Sequence, residues 1–170
     1  EQVVAEFASL RQEHVYFCDD ESFTDSDYAA RLAEALKQHG VQKKIFAWAR
    51  STSVVRKTAL FEAWRDVGLD CVFLGFEAVD DAQLANMSKN SSVAANTEAH
   101  ELLRSMGVAV YAGFMIQADY SADDFERLRA YIANMPPAQV NLTICTPSPG
   151  SPDWDRKSNR FSVDPYRFHD

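Results

Sequence analysis

The chain has 170 residues, the size of a single domain. Its 46% hydrophobic and 25% charged residues exclude a disordered or fibrous chain. Seventeen basic residues against 25 acidic ones give a net charge of −8, which opposes binding to a nucleic-acid backbone.

The first segment, residues 1–12, spaces polar and apolar residues as a helix does. HVYFC at 14–18 is aromatic and β-branched and predicts a strand. Residues 25–39 place Tyr28, Leu32, Ala35 and Leu36 on one helical face behind Asp25 as N-cap, and Gly40 follows. KIFAW at 44–48 predicts a second strand. Residues 56–67 predict a helix whose stripe of Phe61, Trp64 and Val67 is core, closed by Gly68. CVFLGFE at 71–77 predicts a third strand, nearly all apolar. A short helix over 80–87 and a longer one over 93–106 follow, ended by Gly107. VAVYAGFMI at 108–116 predicts a fourth strand. Residues 121–135 predict a helix with Ser121 and Asp124 close to a capping box. QVNLTIC at 139–145 predicts a fifth strand, and the turn-rich PSPGSPDW leads into an irregular stretch to Asp170.

Strands alternating with helices predict βα units and a parallel sheet. A doubly wound sheet and part of a (β/α) barrel both fit. No G-x-G-x-x-G or G-x-x-x-x-G-K-[ST] follows the first strand, so the nucleotide-binding sheet lacks its main signature. Five strands are too few for a closed eight-stranded barrel of about 250 residues. The expected fold is therefore α/β, a partial parallel TIM-type barrel, over residues 1–154, with an irregular extension over 155–170.

Cys18, Cys71 and Cys145 are distant and odd in number, with no metal-ligand spacing. They point to a reducing cytosol rather than a disulfide framework. No apolar run approaches the roughly 20 residues of a membrane span, and no signal-peptide pattern opens the chain. A cytoplasmic protein is expected. The first residue is Glu1 rather than Met, consistent with a piece of a longer protein.

In either architecture, function gathers at the carboxyl ends of the strands. Those ends carry Cys18, Asp19, Asp20 and Glu21; Trp48, Arg50, Ser51 and Thr52; Glu77; Gln117, Asp119 and Tyr120; and Cys145 and Thr146. Asp19 and Asp20 suit either a site or the capping of the next helix. Glu77 ends an apolar strand and needs a partner, either Arg50 or a ligand, because an unpaired buried carboxylate is costly. The four histidines are scattered, which supports neither a hydrolytic triad nor a zinc site. Asp20 with Glu77 is the one pair suited to general acid–base chemistry.

Several segments together resemble a radical S-adenosylmethionine (SAM) domain of the cobalamin-dependent type. VYFCDDESF is similar to that family's second strand, and IFAWARSTSV to its third. LGFEAVDDAQLANMSKN resembles a Gly-x-Glu strand end followed by a short helix and a Met-x-Lys segment. GVAVYAGFMIQADY resembles the strand that enters the pocket, and CTPSPGSPDW the Thr-Pro-x-Pro-Gly-Thr-Pro turn. Order and spacing agree over residues 13–154. Within the family, CDDESF, FAWAR and CTPSPGSPD are most similar to the hopanoid C-3 methylase group.

The resemblance implies a fragment of a six-stranded radical SAM barrel that lacks its first strand. The family's C-x3-C-x2-C motif, which holds a [4Fe–4S] cluster, is missing, so no metal is assigned to this segment. The cluster loop and a cobalamin-binding domain are expected upstream in the same parent chain. There, cluster and SAM would generate a 5′-deoxyadenosyl radical and methylcobalamin would supply a methyl group to an unactivated carbon. The acceptor is a small molecule or a lipid of hopanoid type. On this resemblance Glu77 and Lys89 contact SAM, with Arg50 as a further candidate, and Met115 to Gln117 pass the adenine. Asp19, Asp20 and Tyr120 line the SAM or substrate side. Two other readings of the residues remain at this point: a non-catalytic α/β structural or docking domain, and an unrelated partial-barrel enzyme acting on a small polar substrate.

Overall fold

A computed structural model describes residues 1–154, apart from Ser88, Pro137, Ser148, Pro149 and Asp153. The extension expected over 155–170 lies outside the described residues. In chain order the elements are α1 (Gln2–Ser9), β1 (His14–Tyr16), α2 (Ser26–Gln38), β2 (Lys44–Ala49), α3 (Ser51–Arg56) and α4 (Thr58–Asp66). There follow β3 (Leu69–Glu77), α5 (Asp81–Asn86), α6 (Val93–Ser105), β4 (Ala109–Ile116), α7 (Ala122–Asn134) and β5 (Gln139–Ile144).

The five strands are all parallel and lie in the order β1-β2-β3-β4-β5, each beside its neighbour in sequence. The sheet curls into a half-barrel, the predicted partial TIM-type barrel. A doubly wound order, which reverses direction at a switch point, is thereby excluded.

One face of the sheet is sealed by helices. Val72, Leu74 and Phe76 of β3 are at most 1% exposed, while Cys71, Phe73, Gly75 and Glu77 alternate onto the other, half-exposed face. Beneath the helices Trp64, Phe23 and Phe61 are essentially fully buried. Burial of each such side chain contributes about 1.5–3 kcal/mol or more. The Trp64 indole N–H donates to the Ala29 carbonyl at 3.1 Å, so its one polar atom is not stranded.

Several boundaries differ from expectation, and α1 ends at Ser9 rather than at residue 12. β1 is three residues long rather than five, although Phe17 N still donates to Phe46 O at 2.9 Å. β3 starts at Leu69, two residues early. The helix expected over 56–67 is α4, from Thr58 to Asp66, and an additional helix, α3, forms ahead of it from STSVVR. Serine and β-branched residues with no apolar period hid that turn. The break falls at Lys57, whose ammonium donates to the carbonyls of Phe23, at 2.7 Å, and Thr24.

Caps follow the sequence. Asp25 accepts from Tyr28 N, and Ser121 with Asp124 forms a complete capping box at α7. No helix among the described residues is long and apolar enough to cross a membrane.

Candidate functional site

The carboxyl rim of β2 and β3 opens into a cavity of about 980 Å³. Its lining includes Asp20, Arg50, Glu77 and Lys89, together with Ser51 and Thr52 from the start of α3 and Arg56 from its end. Four of the residues that the resemblance assigns to SAM or substrate, Asp20, Arg50, Glu77 and Lys89, thus share one cavity. Trp48 and Phe73 form its apolar base, with ring centroids 4.1 Å apart.

Local backbone geometry puts Glu77 there. β3 and β4 shift register between Gly75 and Glu77, and Glu77 adopts φ 65°, a conformation uncommon for a side-chain-bearing residue. Ala78 N donates to Phe76 O at 2.8 Å and closes the tight turn. The turn folds the carboxylate back over Gly75, where an added Cβ would stand 2.5 Å from Oε1.

Lys89 supplies the partner. Its Nζ donates to Glu77 Oε1 at 2.9 Å, with the Glu77 side chain 17% exposed and that of Lys89 45%. The short helix α5 brings the lysine back over the rim, and Lys89 N bonds to Leu84 O at 3.0 Å. Arg50, the other partner considered for Glu77, is engaged elsewhere. Its backbone N–H donates to Glu21 Oε2 at 2.8 Å, and its guanidinium Nε lies 3.7 Å from the same oxygen. Glu21, only 12% exposed, is thus the buried acid of the DDE segment, whereas Asp19 and Asp20 are exposed. The intervals 21–50 and 77–89 give no local pattern from which either pairing could be read.

Gln117 and Tyr120 line a separate polar cavity of about 280 Å³ with Gln83, Asn86, Asp119 and Asp124. Met87 lines both this space and the larger cavity. Tyr120 Oη donates to Gln83 Oε1 at 3.0 Å, and Gln83 Nε2 to Asp124 Oδ1 at 3.3 Å. Burial, and then the carboxylates of Asp124, Asp80 and Asp119, hold the Tyr120 hydroxyl protonated above its ordinary range, against the opposing pull of Arg127. Gln117 Nε2 is buried and meets no hydrogen-bond partner among the described residues. Asp19 and Met115 line neither cavity.

The donor set does not fit an iron–sulfur cluster. Among the described residues no three His, Cys, Asp or Glu side chains are grouped to hold a metal. Cys18 and Cys145 follow the two opposite edge strands, and Cys71 lies in β3 between them. The large cavity, in contrast, suits a ligand carrying both a carboxylate and an ammonium group. It presents an acid and a base 2.9 Å apart, within a space able to hold a nucleoside-sized molecule.

A sequence model of the Radical SAM superfamily matches residues 1–132. The hopanoid C-3 methylase of Methylococcus capsulatus is 27% identical over 170 residues, covering 100% of this chain and 33% of the methylase. The anaerobic magnesium-protoporphyrin IX monomethyl ester cyclase of Cereibacter sphaeroides is also 27% identical, over 97% of this chain and 28% of the cyclase. The chain thus spans about a third of the length of these relatives. The fold is similar to that of the cobalamin-dependent SAM radical enzyme OxsB, in the structure with aqua-cobalamin and SAM bound. The TM-score is 0.69 at 16% identity, over 94% of this chain and 25% of that one.

Proposed function

Because the chain belongs to the radical SAM superfamily, we propose that it forms SAM- and substrate-facing walls of a cobalamin-dependent methyltransferase. Its acceptor would be an unactivated carbon of a small molecule or of a lipid of hopanoid type. Membership in the superfamily removes the unrelated-barrel reading.

The observation that carries this proposal is the Glu77–Lys89 pair at one end of the rim cavity. SAM ends in an α-amino acid, so it carries one carboxylate and one ammonium group side by side. Lys89 would take the carboxylate and Glu77 the ammonium. The internal ion pair would give way to two charge-assisted contacts of the same kind. Little is lost in opening it, since a pair this exposed contributes at most about 1 kcal/mol. Arg50 supplies further positive charge at the cavity wall. Met115 and Gln117, at the end of β4, are assigned to the adenine side, with the buried Gln117 amide offering a donor. Asp20 is assigned to the substrate side within the same cavity, and Asp19 and Tyr120 to the same side from outside it, Tyr120 in the neighbouring polar cavity.

SAM and cobalamin, when bound, supply the radical and methyl-transfer chemistry. This chain's residues would bind, orient and keep water out, and Trp48 and Phe73 give the cavity an apolar base for that purpose. The cysteines present do not fit the cluster, so its ligands are assigned to the upstream cluster loop of the parent chain, next to a cobalamin-binding domain. On this reading residues 1–154 act as the partial barrel and 155–170 as an extension of it.

The test is anaerobic turnover of the full-length protein with methyl-deuterated SAM, read by mass spectrometry on hopanoid and small polar acceptors. Cobalamin-dependent transfer of the deuterated methyl group supports the reading. SAM cleavage with no methyl transfer to any acceptor contradicts it.

A further inference from the structure

We propose that Asn96, which lies outside the cavity, is the positioning residue that holds Glu77 and Lys89 in one arrangement. The proposal concerns the geometry of the pair, and its effect on SAM rests on the reading above. Asn96 is 0% exposed in the first turns of α6, an unusual place for a side-chain amide in a domain of this size. Its Nδ2 donates to Phe76 O at 3.1 Å, and its Oδ1 accepts from Ser91 Oγ at 3.2 Å. A carbonyl can only accept, so the Phe76 contact fixes which end of the amide faces which partner.

The two partners sit at the two halves of the site. Phe76 O is the acceptor of the tight turn that turns Glu77 to φ 65°. With Ala78 N and Asn96 Nδ2 both donating to it, both of its lone pairs are used, and the peptide plane ahead of Glu77 is fixed. Ser91 lies two residues after Lys89 and lines the same cavity. One amide therefore ties the Glu77 turn to the Lys89 loop. Among the described residues the loop is also anchored by Lys89 N to Leu84 O and by Val93 N to Asp81 Oδ1 at 2.8 Å. Neither of these reaches β3. A buried amide with both ends satisfied by the two segments is worth more as a geometric constraint than as a stabilising contact.

The test uses the full-length protein, reconstituted anaerobically, with Asn96→Ala and the milder Ser91→Ala. Two readouts are needed: hydrogen exchange by mass spectrometry, and equilibrium SAM binding. Asn96→Ala is expected to raise amide exchange by about tenfold in both the 76–79 and 87–92 segments, while 72–74 in mid-strand stays unchanged. Ser91→Ala is expected to loosen 87–92 alone, and it keeps the proposal testable should Asn96→Ala fail to fold. SAM affinity is expected to fall about tenfold in Asn96→Ala, and that loss is expected to disappear in a Lys89→Ala background. Exchange that rises only within α6, or a loss of affinity that adds fully to that of Lys89→Ala, overturns the proposal. If Lys89→Ala and Glu77→Ala leave SAM binding untouched, the SAM reading fails by itself, and exchange in the two segments alone decides the role of Asn96.

Discussion

The Glu77 carboxylate lies folded over Gly75, two residues back on the same strand, in the space a side chain at 75 would occupy. This explains the Gly-x-Glu strand end in physical terms. The glycine makes room, the positive φ at Glu77 aims the side chain, and Lys89 meets it from the loop beyond α5.

Gly75→Ala should therefore disturb the site and spare the fold. The new Cβ meets the flexible end of a side chain rather than backbone. Alanine also restricts the unfolded chain, which offsets the small loss of the ion pair. Stability by urea denaturation is expected to stay within about 1 kcal/mol of the parent. A crystal structure is expected to show the Glu77–Lys89 contact broken.

Gly68→Ala should behave in the opposite way. Gly68 has φ 107°, and a Cβ there would collide with the Lys43 backbone carbonyl at the entry to β2. Gly68 O also accepts from Ile45 N at 2.8 Å, so neither segment can shift freely. The expected cost is about 3 kcal/mol or more, above that of ordinary overpacking, because backbone must move. Chemical denaturation measures it, and a near-neutral result would contradict the geometry.

Cys71 should be a poor nucleophile. Burial, and then the Asp70 carboxylate, raise its thiol pKa from 9.0 to about 11. The folded state thus holds this proton more tightly than the unfolded chain does. Its contribution to stability is full below about pH 9 and is lost as pH climbs towards 11. At pH 8, iodoacetamide followed by peptide mapping should modify the exposed Cys18 well before Cys71. Labelling of Cys71 should rise with each pH unit toward 11.

The sheet was legible because its strands are short apolar runs between helices that end in glycine, and that rhythm allows few topologies. The extra helix α3 was not, since the six residues Ser51–Arg56 are too few to show an apolar period and fold as helix by burying Val54 and through contacts with α6 and α4. At the site, Glu77 and Lys89 were legible as a strand end and a loop lysine. Glu21 was legible as a strand-end residue but not as the partner of Arg50, and Asn96 was not legible at all. Their importance comes from hydrogen bonds to the backbone of Arg50 and Phe76, 29 and 20 residues away in sequence. Side chain-to-backbone bonds across such intervals leave no periodic trace.

The central claim is that the rim cavity holds SAM through Lys89 and Glu77. Equilibrium SAM binding to the reconstituted full-length protein, and to its Lys89→Ala and Glu77→Ala variants, tests it most directly. The account predicts that each substitution weakens binding by about 1–3 kcal/mol, the cost of losing one charge-assisted contact, with folding unchanged. Unchanged affinity in both variants, with the fold intact, would contradict it and leave the two residues an ion pair on the barrel rim.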